Sequence, residues 1–177
     1  MLRVLRDSII LMGVLILLVS CAGVSNSELT RAKAISISKE QFAANPFGVE
    51  LTIKAFDKRY KKILKQQRYT LRSPINDNYT DTIVRFYKGK TEVIFYKPMK
   101  LDAKLMGGNI YKPDVKLRNG ISVGMSRKEF FWQFSDWVYD SSESLVLESV
   151  PTGCTFTFIF SKDKLKTIKI SNRTYKR

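Results

Sequence analysis

The chain matches itself at a fixed offset of 74 residues, and this constrains its fold more than any other feature. At that offset Leu51-Thr52 falls on Met125-Ser126, Phe56 on Phe130 and Tyr60 on Phe134. Further along, Val84 falls on Phe158, Phe86 on Phe160, Lys88 on Lys162, Lys90 on Lys164, Ile94 on Ile168 and Tyr96 on Ile170, with no gap between the first pair and the last. Apolar coincidences are common in a sequence that is 44% hydrophobic, but a helix start and a hairpin turn in one register are much harder to obtain by chance. A repeated unit of this size carries one apolar side that it cannot bury alone, so two copies are expected to close into a single body.

The helix start is clearest in the second copy. Ser126-Arg127-Lys128-Glu129 is a capping box, and Met125 and Phe130 stand at the two positions of a hydrophobic staple. Gly124 allows a sharp turn just upstream. Phe130, Phe131, Phe134 and Trp137 then recur at three- and four-residue spacing, which predicts a short helix with one aromatic face. The spacing leaves open whether Trp132 and Trp137 are core or contact surface. In the first copy Thr52 takes the cap, Leu51 and Phe56 make the staple, and Ala55 replaces the glutamate. That helix should turn Phe56, Tyr60 and Ile63 inward and leave Lys54, Lys58, Arg59, Lys61 and Lys62 in water.

After each helix the period changes from helical to alternating. Thr82 to Tyr87, the turn Lys88-Gly89-Lys90, and Thr91 to Lys97 read as a hairpin. Phe156, Phe158 and Phe160, the turn Lys162-Asp163-Lys164, and Leu165 to Ile170 read as a second one, preceded by a strand over Leu145 to Glu148. Leu101 to Met106 alternates weakly and is expected to end at Gly107-Gly108, and Tyr111 to Leu117 reads as a further strand or edge segment. The expected fold is α+β: tandem repeats of a helix and an antiparallel meander, about 45–118 and 119–175, with the helices on one face of a shared antiparallel sheet.

Ile121 to Phe131, with its Gly-Met-Ser helix start, and the paired strand ending in Ser161-Lys-Asp-Lys-Leu-Lys-Thr-Ile resemble the BamE/SmpA-like and β-lactamase-inhibitor-protein-like envelope domains. The similarity spans roughly residues 45 to 172 and rests on short motifs. It implies a helix packed on an antiparallel sheet, in tandem as in the inhibitor proteins. No contact residue of either family is matched, so no binding site is carried over.

Arg3 and Arg6 precede an apolar run from Ile9 to Val19, followed by Leu18-Val19-Ser20-Cys21 and Ala22-Gly23. A charged start, a short apolar middle and small residues at the cut make a secretory signal, too short to span a bilayer as a helix, which takes about 20 residues. The four residues ending in Cys21 resemble the lipobox of bacterial lipoproteins, which implies that Cys21 becomes the acylated first residue of the mature chain. An ordinary signal peptide with a cysteine near its cleavage region is the plain alternative. The expected organisation is a signal peptide over 1–20, a flexible tether over 21–40 and a globular domain over 41–177. Ala22 after the cysteine resembles lipoproteins sent to an outer membrane, facing the periplasm.

Histidine is absent, which removes the commonest general base, the Ser-His and Cys-His pairs and the His-based zinc sites. Asp136, Asp140 and Glu143 fall in what reads as a polar loop, and Asp77 and Asp81 lack the glycine and terminal glutamate of a calcium loop. Cys154, in Cys-Thr-Phe-Thr-Phe, reads as a buried thiol on a strand. No catalytic residue, metal site or cofactor is expected. With 31 Lys and Arg against 16 Asp and Glu the chain is strongly basic, and Lys54, Lys58, Arg59, Lys61, Lys62, Lys65, Arg68 and Arg72 are interrupted by one acid, Asp57. Near anionic head groups such a run gains about 1 kcal/mol per residue. Export argues against nucleic acid as a partner. Two functions follow as expectations: a non-enzymatic lipoprotein that binds another envelope protein, held to the bilayer by acylated Cys21, or a direct binder of anionic polymer or lipid through Lys54 to Arg72.

Overall fold

A computed structural model describes residues 36–73 and 78–175. The signal segment, Cys21, the tether as far as residue 35, and Asn76 and Asp77 lie outside the described residues. The fold class is α+β. Three α-helices occur among the described residues: α1 (Lys39–Ala44), α2 (Ile53–Tyr60) and α3 (Arg127–Trp132). Seven strands form one antiparallel sheet: β1 (Lys65–Arg72), β2 (Thr80–Lys88), β3 (Thr91–Lys97), β4 (Lys104–Ile110), β5 (Ser144–Glu148), β6 (Cys154–Ser161) and β7 (Lys164–Asn172), in the order β1-β2-β3-β4-β7-β6-β5.

Local chemistry starts each helix. The Ser126 hydroxyl accepts from the Glu129 N–H at 3.2 Å, and the Glu129 carboxylate accepts from the Ser126 N–H at 2.9 Å. Thr52 accepts from the Ala55 N–H, and Ser38 with Gln41 makes a further capping box. That last cap corrects the expected tether. Its end at residue 40 falls inside α1, and Ile37 is already buried, its N–H donating to the Gln133 carbonyl.

The helices rest on the sheet through aromatic rings. Phe42 of α1 meets Phe156 and Phe158, Phe56 of α2 meets Phe86 and Phe95, and Phe130 of α3 meets Phe158 and Phe160. These strand residues share one face, since Ile110, Ile168, Phe158 and Leu145 form one row across four strands and Gly108, Ile170, Phe156 and Leu147 form the next. Residues 74 apart occupy comparable places: Phe56 and Phe130 on helices, Phe86 and Phe160 beneath them, Lys88–Lys90 and Lys162–Lys164 at hairpin turns. The second turn works without glycine because Lys162 and Asp163 both adopt positive φ, 49° and 56°.

Several expectations need correcting. α3 ends at Trp132, so Phe134 and Trp137 reach the aromatic cluster from the following loop rather than from a helix face. α2 ends at Tyr60, and Ile63 is only half-buried. Lys65–Arg72 is a strand that its polar, edge-exposed side chains gave no reason to expect. No strand covers 111–117. β4 does not end at Gly107-Gly108 but runs through both, past a register shift opposite Ile94 and Phe95. A Cβ on Gly108 would lie 2.5 Å from the Glu92 carbonyl oxygen, so glycine is what lets β3 and β4 approach. Gly108→Ala should therefore destabilise the fold by about 1–3 kcal/mol. Gly107→Ala, whose Cβ would meet the Ile170 carbonyl oxygen at 3.1 Å, should cost less; urea titration of both variants checks the ranking.

Candidate functional site

Alternation along the strands gives the sheet a second face that none of the three helices covers. Register places Lys65, Tyr87, Glu92, Asn109, Lys169, Thr157 and Val146 in one row across all seven strands of that face. The next row joins Gln67, Arg85 and Ile94, and the one beyond it Tyr69, Ile83 and the buried Tyr96. Ile83, Tyr87 and Ile94 are half-buried and Tyr69 is exposed. The Arg85 guanidinium sits between them, 2.8 Å from Glu92 and over the Tyr87 ring at 4.9 Å. Aromatic and aliphatic groups thus concentrate on β1–β3, while Gly107, Asn109, Lys169, Ser171 and Thr157 line the middle of the sheet.

On the helix side, α2, β1, β2 and the segment after β3 enclose a groove of about 500 Å³. Lys54, Asp57, Arg68, Thr80, Thr82 and Lys97 supply its polar lining, with Ile53, Val84, Pro98 and Met99 between them. Among the described residues neither Lys54 nor Lys97 makes an ion pair.

The basic run does not form one patch. Lys54 and Arg68 reach the groove, whereas Lys65 stands on the opposite face beside Tyr87. Arg59 lies over the Tyr60 ring at 5.5 Å, and Lys58, Lys61 and Lys62 are exposed along α2 and just past its end. Of the acids in the 136–143 segment, Glu143 is exposed and the other two serve local structure. Asp136 accepts from the Lys39 N–H at 2.8 Å, and Asp140 accepts from the Ser142 hydroxyl and N–H, the hydroxyl above all holding its carboxyl below the usual range. Cys154 is buried against the Leu105 carbonyl, and burial pushes its thiol up, as expected of an inert cysteine. Trp137 packs on the core, while Trp132 is 53% exposed beneath the Lys128 ammonium.

Three polar groups escaped the sequence reading because their partners are remote. Arg127 is buried. Asn172 donates to the Leu105 and Thr152 carbonyls and links β7 to β4 and the β5–β6 turn. Asp81, also buried, accepts from the Tyr96 hydroxyl and, at 3.0 Å, from the Met99 N–H, with Ser73 beside it. The Tyr96 hydroxyl above all, then the Met99 N–H, hold its carboxyl below its ordinary value of 3.8. A depressed carboxyl contributes stability that is complete above its unfolded value and is lost as pH falls through the folded one. Acidification from pH 6 to below 4 should thus weaken the anchorage of residues 98–101, read as faster proteolysis or exchange of the Met99 amide, and Asp81→Asn should flatten that dependence. No family model, no curated protein and no solved structure matches this chain.

Proposed function

We propose that this chain is a lipoprotein of the bacterial envelope, anchored through acylated Cys21 on an outer membrane facing the periplasm, whose domain binds another envelope protein without catalysis. The globular part is proposed to be a duplicated unit, each copy a helix with its meander. The lipobox-like Leu18–Cys21 supports the anchor, and the coincidence of Thr52 with Ser126 and of the two hairpin turns supports the duplication.

The uncovered sheet face carries the binding reading. Seven strands spaced by about 4.8 Å make a surface roughly 30 Å across, enough for the ~800 Å² per partner of an ordinary interface. Tyrosine and arginine are the residue types that such interfaces favour, and Tyr69, Tyr87 and Arg85 lie together there. A photoreactive amino acid at Tyr69 or Ile94 should give one discrete protein adduct in intact cells, and the same group at Lys128 on α3 should not. Adducts of equal yield from all three positions would defeat the reading. The mass of the processed chain tests the anchor separately: acylated Cys21 is expected, and an unmodified thiol would remove it.

A second reading, direct binding of anionic polymer or lipid through residues 54–72, is favoured by the convergence of Lys54 and Arg68 on the groove. Reversal of Lys58, Lys61 and Lys62 to Glu should weaken such binding and flatten its salt dependence, if the whole segment is used.

A further inference from the structure

The loop between β3 and β4 carries two large apolar side chains in water: Met99 is 60% exposed and Leu101 57%. Exposed apolar residues occur singly on most surfaces, but these two share a short segment with Lys97, Lys100 and Lys104. The segment is not loosely hung. Its Met99 N–H is held by the buried Asp81 carboxylate, and the Lys100 ammonium lies on Tyr79, 2.7 Å from the hydroxyl and 4.5 Å from the ring centre. Directly beside it opens the groove lined by Lys54, Arg68 and Lys97, with the hydroxyls of Thr80 and Thr82. The other acids nearby, besides buried Asp81, are Asp57 in the groove and exposed Asp102 in the loop.

Apolar tips surrounded by lysine, with an aromatic ring at their base, have the composition of an interfacial membrane contact: the apolar groups enter the acyl boundary and the cations meet phosphates. We propose that this end of the domain docks on an anionic phospholipid bilayer, Met99 and Leu101 entering its interface while Lys54, Arg68 and Lys97 engage lipid phosphates. The inference deepens the anionic-surface reading and redraws its footprint. It discards Lys58, Lys61 and Lys62 and adds Lys97, Met99 and Leu101. Because Asp81 holds the loop in its exposed form beforehand, little ordering is needed on contact.

The test places a tryptophan reporter in the full chain, as Leu101→Trp, and measures emission and quenching by bromine-labelled lipid. The unsubstituted chain supplies the background from Trp132 and Trp137, and Lys90→Trp, at an exposed position in the β2–β3 turn at the opposite end of the sheet, supplies the comparison. In vesicles of phosphatidylglycerol with phosphatidylethanolamine the Leu101→Trp reporter should be blue-shifted and quenched while the Lys90→Trp reporter is not. Adding Lys54→Glu and Lys97→Glu should abolish the difference, as should vesicles of phosphatidylcholine alone. Equal signals from the two reporters, or quenching that persists in phosphatidylcholine, would overturn the proposal. Loss of the signal on reversing Lys58, Lys61 and Lys62, with no effect of Lys54→Glu and Lys97→Glu, would leave the broader anionic reading standing and remove this one.

Discussion

Phe130→Ala is expected to lower stability by about 3–5 kcal/mol, a large share of the 5–15 kcal/mol that holds an ordinary domain. Phe130 has no exposed surface and its ring meets those of Phe131, Phe134, Trp137, Phe158 and Phe160. Truncation removes the ring and leaves a cavity that two strands and a six-residue helix are too constrained to fill. Phe56→Ala should cost a similar amount, because Phe56 meets Phe47, Tyr60, Phe86 and Phe95 in the other half. β4 hydrogen-bonds to both β3 and β7, so each substitution should lower amide protection in β2 and β6 together. Loss confined to β5–β7 in Phe130→Ala would mean that the halves unfold separately. Phe130→Leu, which keeps most of the volume, should be milder by 2 kcal/mol or so.

Arg127→Met should cost about 2–4 kcal/mol, mostly from abandoned carbonyls. Arg127 opens α3, a position where the capping-box pattern leaves a cation in water, yet it is only 5% exposed. Its guanidinium lies over the Phe160 ring at 4.3 Å and donates to the Asp140 carbonyl at 3.1 Å and to the Ser142 carbonyl. The ion pair with Asp163 at 3.1 Å adds little, since that carboxylate is 81% exposed. Methionine keeps the apolar stem and provides no donor, so the 140–142 segment loses its tie to the helix. Arg127→Lys should recover only a fraction: one guanidinium nitrogen meets both carbonyls, and a lysine ammonium put in its place loses the planar contact on Phe160 and the Nε–H bond to Asp163. Asp163→Asn should stay within about 0.5 kcal/mol of the parent in the same denaturant titration. A fully stable Arg127→Met would show that water reaches both carbonyls and that the arginine is packing alone.

At the 74-residue offset Arg127 falls on Ile53, which lines the groove. The second half fills the space at its helix start with a guanidinium and the returning 140–142 loop, and the first half leaves an open groove there. This difference produced the candidate lipid-phosphate site, and it was not legible from the matching positions, which are the ones where the halves agree.

The sequence by itself determined what depends on neighbours along the chain. Ser126 with Glu129, Thr52 with Ala55 and the lysine-flanked turns at 88–90 and 162–164 act within three residues, so spacing alone places the helix starts and hairpins, and alternation places Phe156, Phe158 and Phe160 on one face. Only the tertiary structure decided which cations share a surface. Lys65 and Arg68 are close in sequence and point to opposite sides of a strand, while Lys54 and Lys97 are far apart and line one groove. Asp81, Arg127 and Asn172 likewise took meaning from groups 13 to 67 residues away. A polar group's partner across a sheet is set by register and by chain packing, and no local pattern of residue types encodes either.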